Sequence, residues 1–588
     1  MDHLIEPHGG VLRDLIVTEE QAVPLKAESG SYPSITLTQR QLCDLELLMN
    51  GGFSPLTGFM TRAEYESVLT DLHLPDGVLW PMPITLDVPA SITDKLQAGQ
   101  RLALRDGEGF MLAALVVEDV WQPDKQREAE LVFGTKDPAH PGVRYLFEQV
   151  HDTYVGGAIE GIQLPPHYDF ETIRDTPQEL RHLFVKHGWR QVVAFHTCKP
   201  MHRLHRELTL RAAKAVQAPI LIHPAVGMTK PGDLHYFARV RCYQAMRQHY
   251  PHNMAMLSLL PSAVRMAGPR EAVLNAIIRQ NYGCSHIIIG PEHAAPPEVR
   301  EQGARYYPTY AAQEMVAHYQ NELKIIMVPI KEMAYVPDTG QFMELEQIKT
   351  EGLKGLRFTE SDLNKNLAHG LDVPPWVSYP NVIAELRKVR LPRYQQGVTL
   401  FFTGFSGSGK STLAKIIYAK FIEAGGRPVS LLDGDVVRHH LSSELGFSKL
   451  HRDLNVRRIG FVASEITKNG GVAICAPIAP YTTTRRAVRE MIEEHGAFIE
   501  IYVATSLEVC ESRDRKGLYA KARKGIIPEF TGVSDPYEVP EHPELRIDTS
   551  ELTPMQAAQE IFLYLLSEGY LDNDETGSSK SFTSTAGE

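Results

Sequence analysis

The sequence contains few cysteines and no long apolar segment. None of its six cysteines occurs in CxxC spacing, which argues against a disulfide framework or a zinc ribbon and favours a reducing compartment. No stretch approaches the roughly 18 uninterrupted apolar residues of a membrane helix. The first residues, MDHLIEPHGG, lack the basic and apolar regions of a signal peptide. We therefore expect a cytoplasmic protein with no membrane partner.

An excess of positive charge is missing as well. The chain has 60 basic and 72 acidic residues, for a formal net charge of −12, so no non-specific binding to nucleic acid is expected. Its 588 residues, with 43% apolar and 22% charged, are typical of a soluble globular protein of about four domains.

The pattern of the chain changes near residue 170. Residues 1–169 predict a β-rich domain, with short apolar segments such as Arg101–Leu104 and Phe110–Val117 between turn residues. In residues 170–330, strands such as Gln191–Phe195 alternate with helices such as His202–Ala215. This alternation predicts a parallel sheet of βαβ units.

Three further segments follow. Residues 331–393 are charged and punctuated by prolines, which indicates a small connector domain. Residues 394–570 form a second α/β pattern. Residues 571–588 are small and polar, and they predict a disordered tail.

The strongest motif lies at the start of the second α/β region. A predicted strand, Val398–Thr403, leads into GFSGSGKS and then into a helical run, which is the GxxxxGK[ST] phosphate-binding loop in its strand–loop–helix setting. The alternative is a glycine-rich turn that matches by chance. Lys410 is expected to reach the β- and γ-phosphates of ATP, and Ser411 to contact Mg²⁺. The predicted ATP-binding residues are Gly404, Phe405, Ser406, Gly407, Ser408, Gly409, Lys410, Ser411 and Thr412.

Two carboxylates and a basic run follow the next predicted strand. Asp433 and Asp435 come directly after VSLL, at the sheet edge where ligands of such folds collect, although a simple turn is the commoner meaning of DGD. The basic residues between Arg438 and Arg458 surround Phe447. They are either a solvated helix face or a site for a second anionic substrate whose base stacks on the aromatic ring.

At this point the sequence resembles adenylylsulfate (APS) kinase. The family motifs are a P-loop, DGDxxR, LGFSxxxRxxN and KGLYxxAR followed by FTG, and the chain carries GFSGSGKS, DGDVVR, LGFSKLHRDLN and KGLYAKARKGIIPEFTG. The resemblance implies a P-loop kinase that moves the γ-phosphoryl group of ATP, with Mg²⁺, to the 3′-hydroxyl of APS. The products would be 3′-phosphoadenylylsulfate (PAPS) and ADP.

The resemblance also assigns roles to residues. Asp435 would be the general base, with Lys410 and Asp433 as further catalytic groups and Asp433 supporting Mg²⁺. The implied APS-binding residues are Arg438, Phe447, Arg452, Asn455, Ile478, Lys516 and Phe530. Many relatives have serine, described as a phosphorylated intermediate, where this chain has Ala479, so the transfer here would be direct and in line.

The first two thirds of the chain resemble ATP sulfurylase, through QRQLCDLELLMNGGFSPLTGFM, RMAGPREA, NYGCSHIIIG and EMAYVPDTG. The combined order is that of the bifunctional ATP sulfurylase/APS kinase family (PAPS synthases). It implies a β-rich PUA-like N-terminal domain and a Rossmann-like nucleotidyltransferase-type domain. ATP sulfurylase joins sulfate to the α-phosphorus of ATP and releases pyrophosphate.

The sulfurylase motifs are only partly retained. The family loop QTRNPxHRxH here runs from His196 to His205, and His202 and His205 survive at the start of a predicted helix. The two imidazoles suit phosphate oxygens at a helix N-terminus. The alternatives are a structural capping pair or half of a zinc site, for which no third ligand is found at useful spacing.

The other half of that loop is replaced. Glutamine has become His196, arginine has become Cys198 and asparagine has become Lys199. In the second loop, GRDHAGP, arginine has become Pro291 ahead of the retained His293. Losing one preorganised donor to an oxyanion typically costs about 10²–10³ in rate, and neither cysteine nor proline has the guanidinium fork. We therefore expect this site to have little or no sulfurylase activity.

Three functions compete on the sequence alone. The expected one is an APS kinase with a silent sulfurylase-like domain. The alternatives are a fully bifunctional PAPS synthase and a regulatory protein in which neither half turns over. The expected cofactor is Mg²⁺ with ATP, with no zinc, haem or flavin. The family resemblance implies a homo-oligomer, with a hexamer favoured over a dimer.

Overall fold

The computed structural model of the chain describes residues 4–228, 234, 236–297, 303–446, 448–514 and 517–571. Phe447, Lys516 and the side chain of Asp435 lie outside the described residues, as does the predicted tail beyond residue 571. Residues 1–358 and 374–386 form one unit, and residues 359–373 and 387–588 form another. The predicted connector, residues 331–393, is divided between them. Within the described ranges, no helix has both the length and the apolar character needed to cross a membrane.

The first unit begins with a six-stranded sheet. Its order is β1-β4-β5-β6-β2, with β3 also paired to β6, and all pairs are antiparallel except β1 with β4. The strands are β1 (Ser34–Thr36), β2 (Gly58–Phe59), β3 (Leu86–Val88), β4 (Arg101–Arg105), β5 (Met111–Trp121) and β6 (Thr153–Gly161). In the central strand β5, the first five residues are all buried, and of the last six only Val117 and Trp121 are buried. This sheet confirms the predicted β-rich first domain.

Six helices accompany this sheet. They are α1 (Glu19–Glu28), α2 (Gln39–Met49), α3 (Arg62–Asp71), α4 (Ala90–Thr93), α5 (Lys125–Phe133) and α6 (Pro141–Glu148). Two of them begin at threonines whose side chains accept from the third residue of the helix, Thr38 from Gln41 N–H and Thr61 from Glu64 N–H. These capping boxes satisfy backbone donors that the first helical turn leaves unpaired.

The second part of the first unit is a parallel sheet in the order β11-β10-β7-β8-β9. Its strands are β7 (Val193–Phe195), β8 (Ile220–Ile222), β9 (Ala255–Leu257), β10 (His286–Ile289) and β11 (Ile326–Pro329). Chain order runs outward in both directions from β7, so the topological switch point lies between β7 and β10. Ligands of open α/β sheets bind beyond the carboxyl ends of the strands at such a point.

Helices connect these strands, as the alternating pattern predicts. They are α7 (Pro177–Lys186), α8 (Arg203–Val216), α9 (Tyr236–Arg247), α10 (Pro269–Asn281) and α11 (Ala311–His318). The helix α10 is buried along its whole length, polar residues included. An antiparallel hairpin, β12 (Met333–Val336) with β13 (Gln341–Glu344), follows with α12 (Leu345–Thr350). Two short helices come next along the chain: α13 (Glu360–Ala368) belongs to the second unit, and α14 (Pro380–Arg387) lies in the first unit except for its last residue.

The second unit contains a five-stranded parallel sheet in the order β15-β16-β14-β17-β18. Its strands are β14 (Val398–Thr403), β15 (Val429–Asp433), β16 (Val472–Ala476), β17 (Ala497–Val503) and β18 (Leu545–Ile547). The predicted strand Val398–Thr403 is therefore confirmed at both ends. All six residues of β14 are buried, as expected for a central strand of a parallel sheet covered on both faces.

The helices of this unit pack around that sheet. They are α15 (Lys410–Ala424), α16 (Gly434–Leu441), α17 (Lys449–Lys468), α18 (Thr482–Glu493), α19 (Leu507–Arg513), α20 (Leu518–Arg523) and α21 (Pro554–Ser567). Leu413 and Ile417 of α15 share one apolar core with Ile561 and Leu565 of α21, while Ile459 of α17 lies in a second core with Val488. The sheet is thus covered by helices, and the carboxyl end of β14 is where the chain turns into α15.

Candidate functional site

The loop between β14 and α15 is built for close approach of a ligand to the backbone. Gly404, Gly407 and Gly409 have φ angles of +143°, +79° and +106°, and Gly409 caps α15. A Cβ at Gly404 would lie 2.5 Å from the carbonyl oxygen of Val503, so no larger residue fits there. The predicted residues Ser411 and Thr412 lie in the first turn of α15, where backbone N–H groups and the helix dipole favour phosphate.

Buried polar groups brace this loop. The Lys410 ammonium is buried and donates to the carbonyl oxygens of Gly404 (2.9 Å) and Phe405 (2.6 Å). The Ser408 carbonyl accepts from the Thr549 hydroxyl at 2.8 Å and from the Thr505 hydroxyl at 3.2 Å. Neither threonine belongs to the motif, and both hold the loop in shape. Phosphate oxygens that reach Lys410 would replace carbonyl oxygens that it already contacts.

The strand ends beside the loop carry other predicted residues. Asp433 is the last residue of β15 and lies opposite Ala476 of β16. Asp435 is in the first turn of α16, so the DGD segment links a strand to a helix and is not an isolated turn. The Ile478 carbonyl accepts from the Thr403 hydroxyl at 2.7 Å. Ala479 is buried with φ +44°, and its methyl group offers no phosphate acceptor.

Two predicted APS-binding residues lie one helical turn apart on α17. Arg452 donates through Nη1 to the Thr531 hydroxyl at 2.8 Å, and its Nη2 is 3.1 Å from an Asp535 carboxylate oxygen. The Arg452 Nε atom and the Asn455 side-chain oxygen are buried without a hydrogen-bond partner in the described residues, while Arg452 Nη2 has the Asp535 carboxylate as its ionic partner. Unpaired buried polar groups are costly, so these atoms are fit to receive a polar ligand.

The segment Phe530–Asp535 connects these residues to the P-loop. Phe530 packs edge-on against Tyr519 with ring centroids 5.1 Å apart, and the Tyr519 hydroxyl donates to the Ser406 carbonyl at 2.8 Å. Another predicted residue, Arg438, donates to the carbonyls of Leu445 (3.3 Å) and Gly446 (3.0 Å). Arg438 thus holds the residues that immediately precede Phe447.

Sequence reasoning missed Asp535 and Tyr481. The Tyr481 hydroxyl donates to Asp535 at 2.8 Å, and burial together with that bond raises the pKa of Tyr481. The Arg452 guanidinium lies 5.4 Å from the centre of the Tyr481 ring, and the Lys449 ammonium lies 4.6 Å from it. A signal existed for each residue, because Asp535 lies three positions after the FTG motif and Tyr481 lies two positions after Ala479.

A second site lies at the switch point of the sheet in the first unit. His196 follows β7, and Pro291 and His293 follow β10, so the two predicted loops meet where the topology indicates. The rings of His196 and His293 have centroids 5.4 Å apart. Burial lowers the pKa of His293 to about 3 and the pKa of His196 well below its usual range, with the Arg279 charge adding to both shifts.

His202 and His205 form a capping pair, which is one of the three alternatives. His202 caps α8, and its backbone N–H donates to Nδ1 of His205 at 3.0 Å. His202 Nδ1 is 3.0 Å from the Ser378 hydroxyl. Burial lowers the pKa of His202 to about 4 and that of His205 to about 3. No group of three histidine, cysteine, aspartate or glutamate side chains among the described residues could hold a metal ion.

Two side chains of α9 hold the backbone between His196 and His202. The Arg239 guanidinium donates to the Cys198 carbonyl at 2.5 Å, and the Tyr243 hydroxyl donates to the Lys199 carbonyl at 2.8 Å. The loop is thus rigidly placed although its side chains depart from the family pattern. At this second site, sequence reasoning missed four residues that contact the two loops: Arg239, Tyr243, Asn275 and Arg279.

Comparison with known families accounts for nearly the whole chain. The PUA-like domain family matches residues 5–164, ATP-sulfurylase matches residues 171–389 and adenylylsulphate kinase matches residues 396–548. These matches confirm the predicted fold class: a PUA-like domain, a sulfurylase-type α/β domain and a P-loop kinase domain.

Full-length relatives have the same organisation. Sulfate adenylyltransferase of Coccidioides immitis is 48% identical, and that of Aspergillus oryzae is 49% identical, each over 570 residues that cover 96% of this chain and 99% of the relative. Among solved structures, a hexameric APS kinase from Thiobacillus denitrificans is 42% identical with a TM-score of 0.79, over 97% of this chain and 100% of that one.

Proposed function

Because the chain belongs to the sulfate adenylyltransferase family and carries an APS kinase domain, we propose that it is a bifunctional PAPS synthase. The first unit would join sulfate to the α-phosphorus of ATP, and the second would phosphorylate the resulting APS. Its main support is the 48–49% identity to sulfate adenylyltransferases over almost their whole length. The loss of sulfurylase activity that the sequence favoured finds no support in these relatives.

Several contacts of the second unit support the proposed kinase step. The P-loop and Lys410 hold the ATP phosphates, while Arg452 and Asn455 bind APS. The 3′-hydroxyl oxygen of APS bonds to the γ-phosphorus as the bond to the β,γ-bridging oxygen breaks, and the hydroxyl proton passes to Asp435. With Ala479 in place of serine, no phosphoenzyme forms there. Ser411 and Asp433 are the groups that would hold Mg²⁺, which neutralises phosphate charge when bound.

The sulfurylase step would use the switch-point site. A sulfate oxygen bonds to the α-phosphorus of ATP, and pyrophosphate leaves. His196, Lys199, His202, His205 and His293 are the polar side chains that the two loops offer to the anionic groups. Oxyanions of this kind are stabilised by donors that are already in place, and the backbone of the loop is fixed by α9.

A second candidate function is an APS kinase whose sulfurylase-like unit is silent. The observation that favours it is the pair of replacements at Cys198 and Pro291, where the family motif has arginine. In that case APS must be supplied from outside, and the first unit serves assembly or ligand sensing.

One experiment separates the two candidates. Purified full-length protein is incubated with ATP and Mg²⁺, with either sulfate or APS, in the presence of pyrophosphatase, and PAPS is measured by chromatography. PAPS from sulfate alone supports bifunctionality, whereas PAPS only from added APS supports the kinase with a silent first unit. Lys410→Met, which removes the P-loop ammonium, should abolish PAPS formation but leave sulfate-dependent ATP–pyrophosphate exchange intact. Absence of PAPS under both conditions would refute both candidates.

The proposed enzyme is a homo-oligomer in the cytoplasm, and we favour a hexamer over a dimer. The solved relative described as hexameric, which aligns over 97% of this chain, supports that number. Light scattering on the purified protein should give the mass of six chains of 65.8 kDa. A mass of two chains would contradict it.

A further inference from the structure

The buried guanidinium of Arg279 lies behind the two histidines of the switch-point site. Arg279 is on α10 and is fully buried. Its Nη2 donates to Nδ1 of His196 at 2.7 Å and to the His223 carbonyl at 3.0 Å. Its Nη1 donates to the side-chain oxygen of Asn275 at 2.7 Å. The Arg279 cation therefore contacts His196 directly, and it is linked to His293 through the side-chain amide of Asn275.

These contacts determine where the imidazole protons lie. A guanidinium has donors only, so Nδ1 of His196 must carry a lone pair, and the single proton of the neutral ring is on Nε2. The Asn275 oxygen is occupied by Arg279, so its NH₂ group is the part that faces Nε2 of His293, at 3.4 Å. That nitrogen therefore accepts, and the His293 proton is on Nδ1.

We propose that Arg279, with Asn275, is a positioning residue that fixes both site histidines as neutral N–H donors for a tetrahedral oxyanion such as sulfate. The donating atoms are Nε2 of His196 and Nδ1 of His293. This inference rests on the proposed sulfurylase function for its ligand, but the proton positions do not depend on turnover. It also changes the meaning of one replacement, because His196 retains an N–H donor where the family has a glutamine amide.

The charge state agrees with this geometry. Burial, the Arg279 charge and the neighbouring histidines His293 and His223 lower the pKa of His196. Burial and Arg279 lower that of His293 to about 3. Both rings are therefore neutral at pH 7, as an N–H donor with a lone pair on the opposite nitrogen requires.

The test is magic-angle-spinning NMR of the full-length protein labelled with ¹⁵N-histidine, which distinguishes protonated from unprotonated ring nitrogens at any molecular size. Difference spectra against His196→Gln and His293→Gln assign the two residues among the 24 histidines. We expect unprotonated Nδ1 in His196 and unprotonated Nε2 in His293. A protonated Nδ1 in His196, or an imidazolium at pH 7, would overturn the proposal.

Asn275→Asp is the decisive variant, because it keeps an oxygen for Arg279 and replaces the NH₂ group with a second acceptor. His293 Nε2 should become protonated while His196 is unchanged. Unchanged His293 nitrogens would refute the relay, by which we mean the contact from Arg279 through Asn275 to His293.

Addition of inorganic sulfate should shift the signals of His196 Nε2 and His293 Nδ1 in the wild type, and no shift would refute sulfate as the ligand. Calorimetry checks that the first unit of the Asn275→Asp variant is folded, because its unfolding transition should be retained. If sulfate-dependent exchange is absent while both proton positions are as expected, the proposed function fails and the relay stands.

Discussion

The carboxylate of Asp535 offers the sharpest test of the kinase site. It lies 3.1 Å from Arg452 and accepts from the Tyr481 hydroxyl at 2.8 Å. The side chains of Arg452 and Asp535 are only 12% and 15% exposed, so solvent screens the pair weakly. Asp535→Asn keeps the shape and an acceptor oxygen but removes the charge that orients the guanidinium. APS should then meet an arginine that is no longer held in place.

The magnitude follows from the loss of one charge-assisted contact. Hydrogen bonds to a charged group contribute about 1.5–3 kcal/mol, against about 1 kcal/mol for a neutral one. The variant should therefore weaken APS binding by about 1–2 kcal/mol, which corresponds to about a 5- to 30-fold increase in the KM for APS. Since Arg452 binds substrate and transition state alike, kcat should change little.

Steady-state kinetics with APS and ATP varied separately measures this effect. The matched control is Glu444→Gln, the same acid-to-amide change at the Arg458 pair, where the glutamate side chain is 58% exposed. Exposed pairs of this kind contribute at most about 1 kcal/mol, so both KM values should stay close to wild type. An unchanged KM for APS in Asp535→Asn, or an equal rise in the KM for ATP, would refute the positioning role.

Three further perturbations test other parts of the chain. Thr549→Val removes a hydroxyl that donates to the Ser408 carbonyl, so the loop loses about 1 kcal/mol of support and the KM for ATP should rise severalfold in kinetic assays. Asp44→Asn leaves the Arg265 guanidinium buried beside an uncharged amide, which should destabilise the first unit by about 3–5 kcal/mol in calorimetry without changing kinase KM values. Because the folded-state pKa of His293 is about 3, against 6.5 ordinarily, only the unfolded chain takes up this proton below pH 6.5. As the pH decreases below 6.5, this histidine should therefore reduce the free energy of unfolding by up to about 1.4 kcal/mol per pH unit. His293→Gln should make the fall in thermal midpoint between pH 6.5 and 5 less steep.

The sequence was sufficient for features that depend on neighbouring residues. The strand Val398–Thr403 and the P-loop after it are both set by local pattern: a run of apolar residues, then glycines that permit positive φ. The same holds for the helix predicted over His202–Ala215, found at Arg203–Val216. The six helices of the first domain were missed, because each has at most 11 residues and its apolar positions repeat over about three turns or fewer.

Contacts between distant residues were not predictable from local pattern. Arg279 meets His196 across 83 positions, and Arg452 meets Thr531 across 79. In the sequence Arg279 is one basic residue in a helical run, and nothing local indicates that it is fully buried. The fold alone brings α10 beneath the carboxyl end of β7 and so makes this arginine part of the site.

This arrangement bears on how a sulfurylase site with few arginines could still function. Cys198 and Pro291 stand where the family motif has arginine, so two guanidinium donors are lost. An oxyanion is nevertheless stabilised by any hydrogen-bond donor that is held in position. With the Arg279 relay, His196 and His293 each present a neutral N–H. Neutral hydrogen bonds are about half as strong as charge-assisted ones, so these donors replace part of the lost stabilisation. The expected result is a sulfurylase with weak sulfate binding, whose activity should fall further in Asn275→Asp because that change introduces an acceptor, and a negative charge, behind His293.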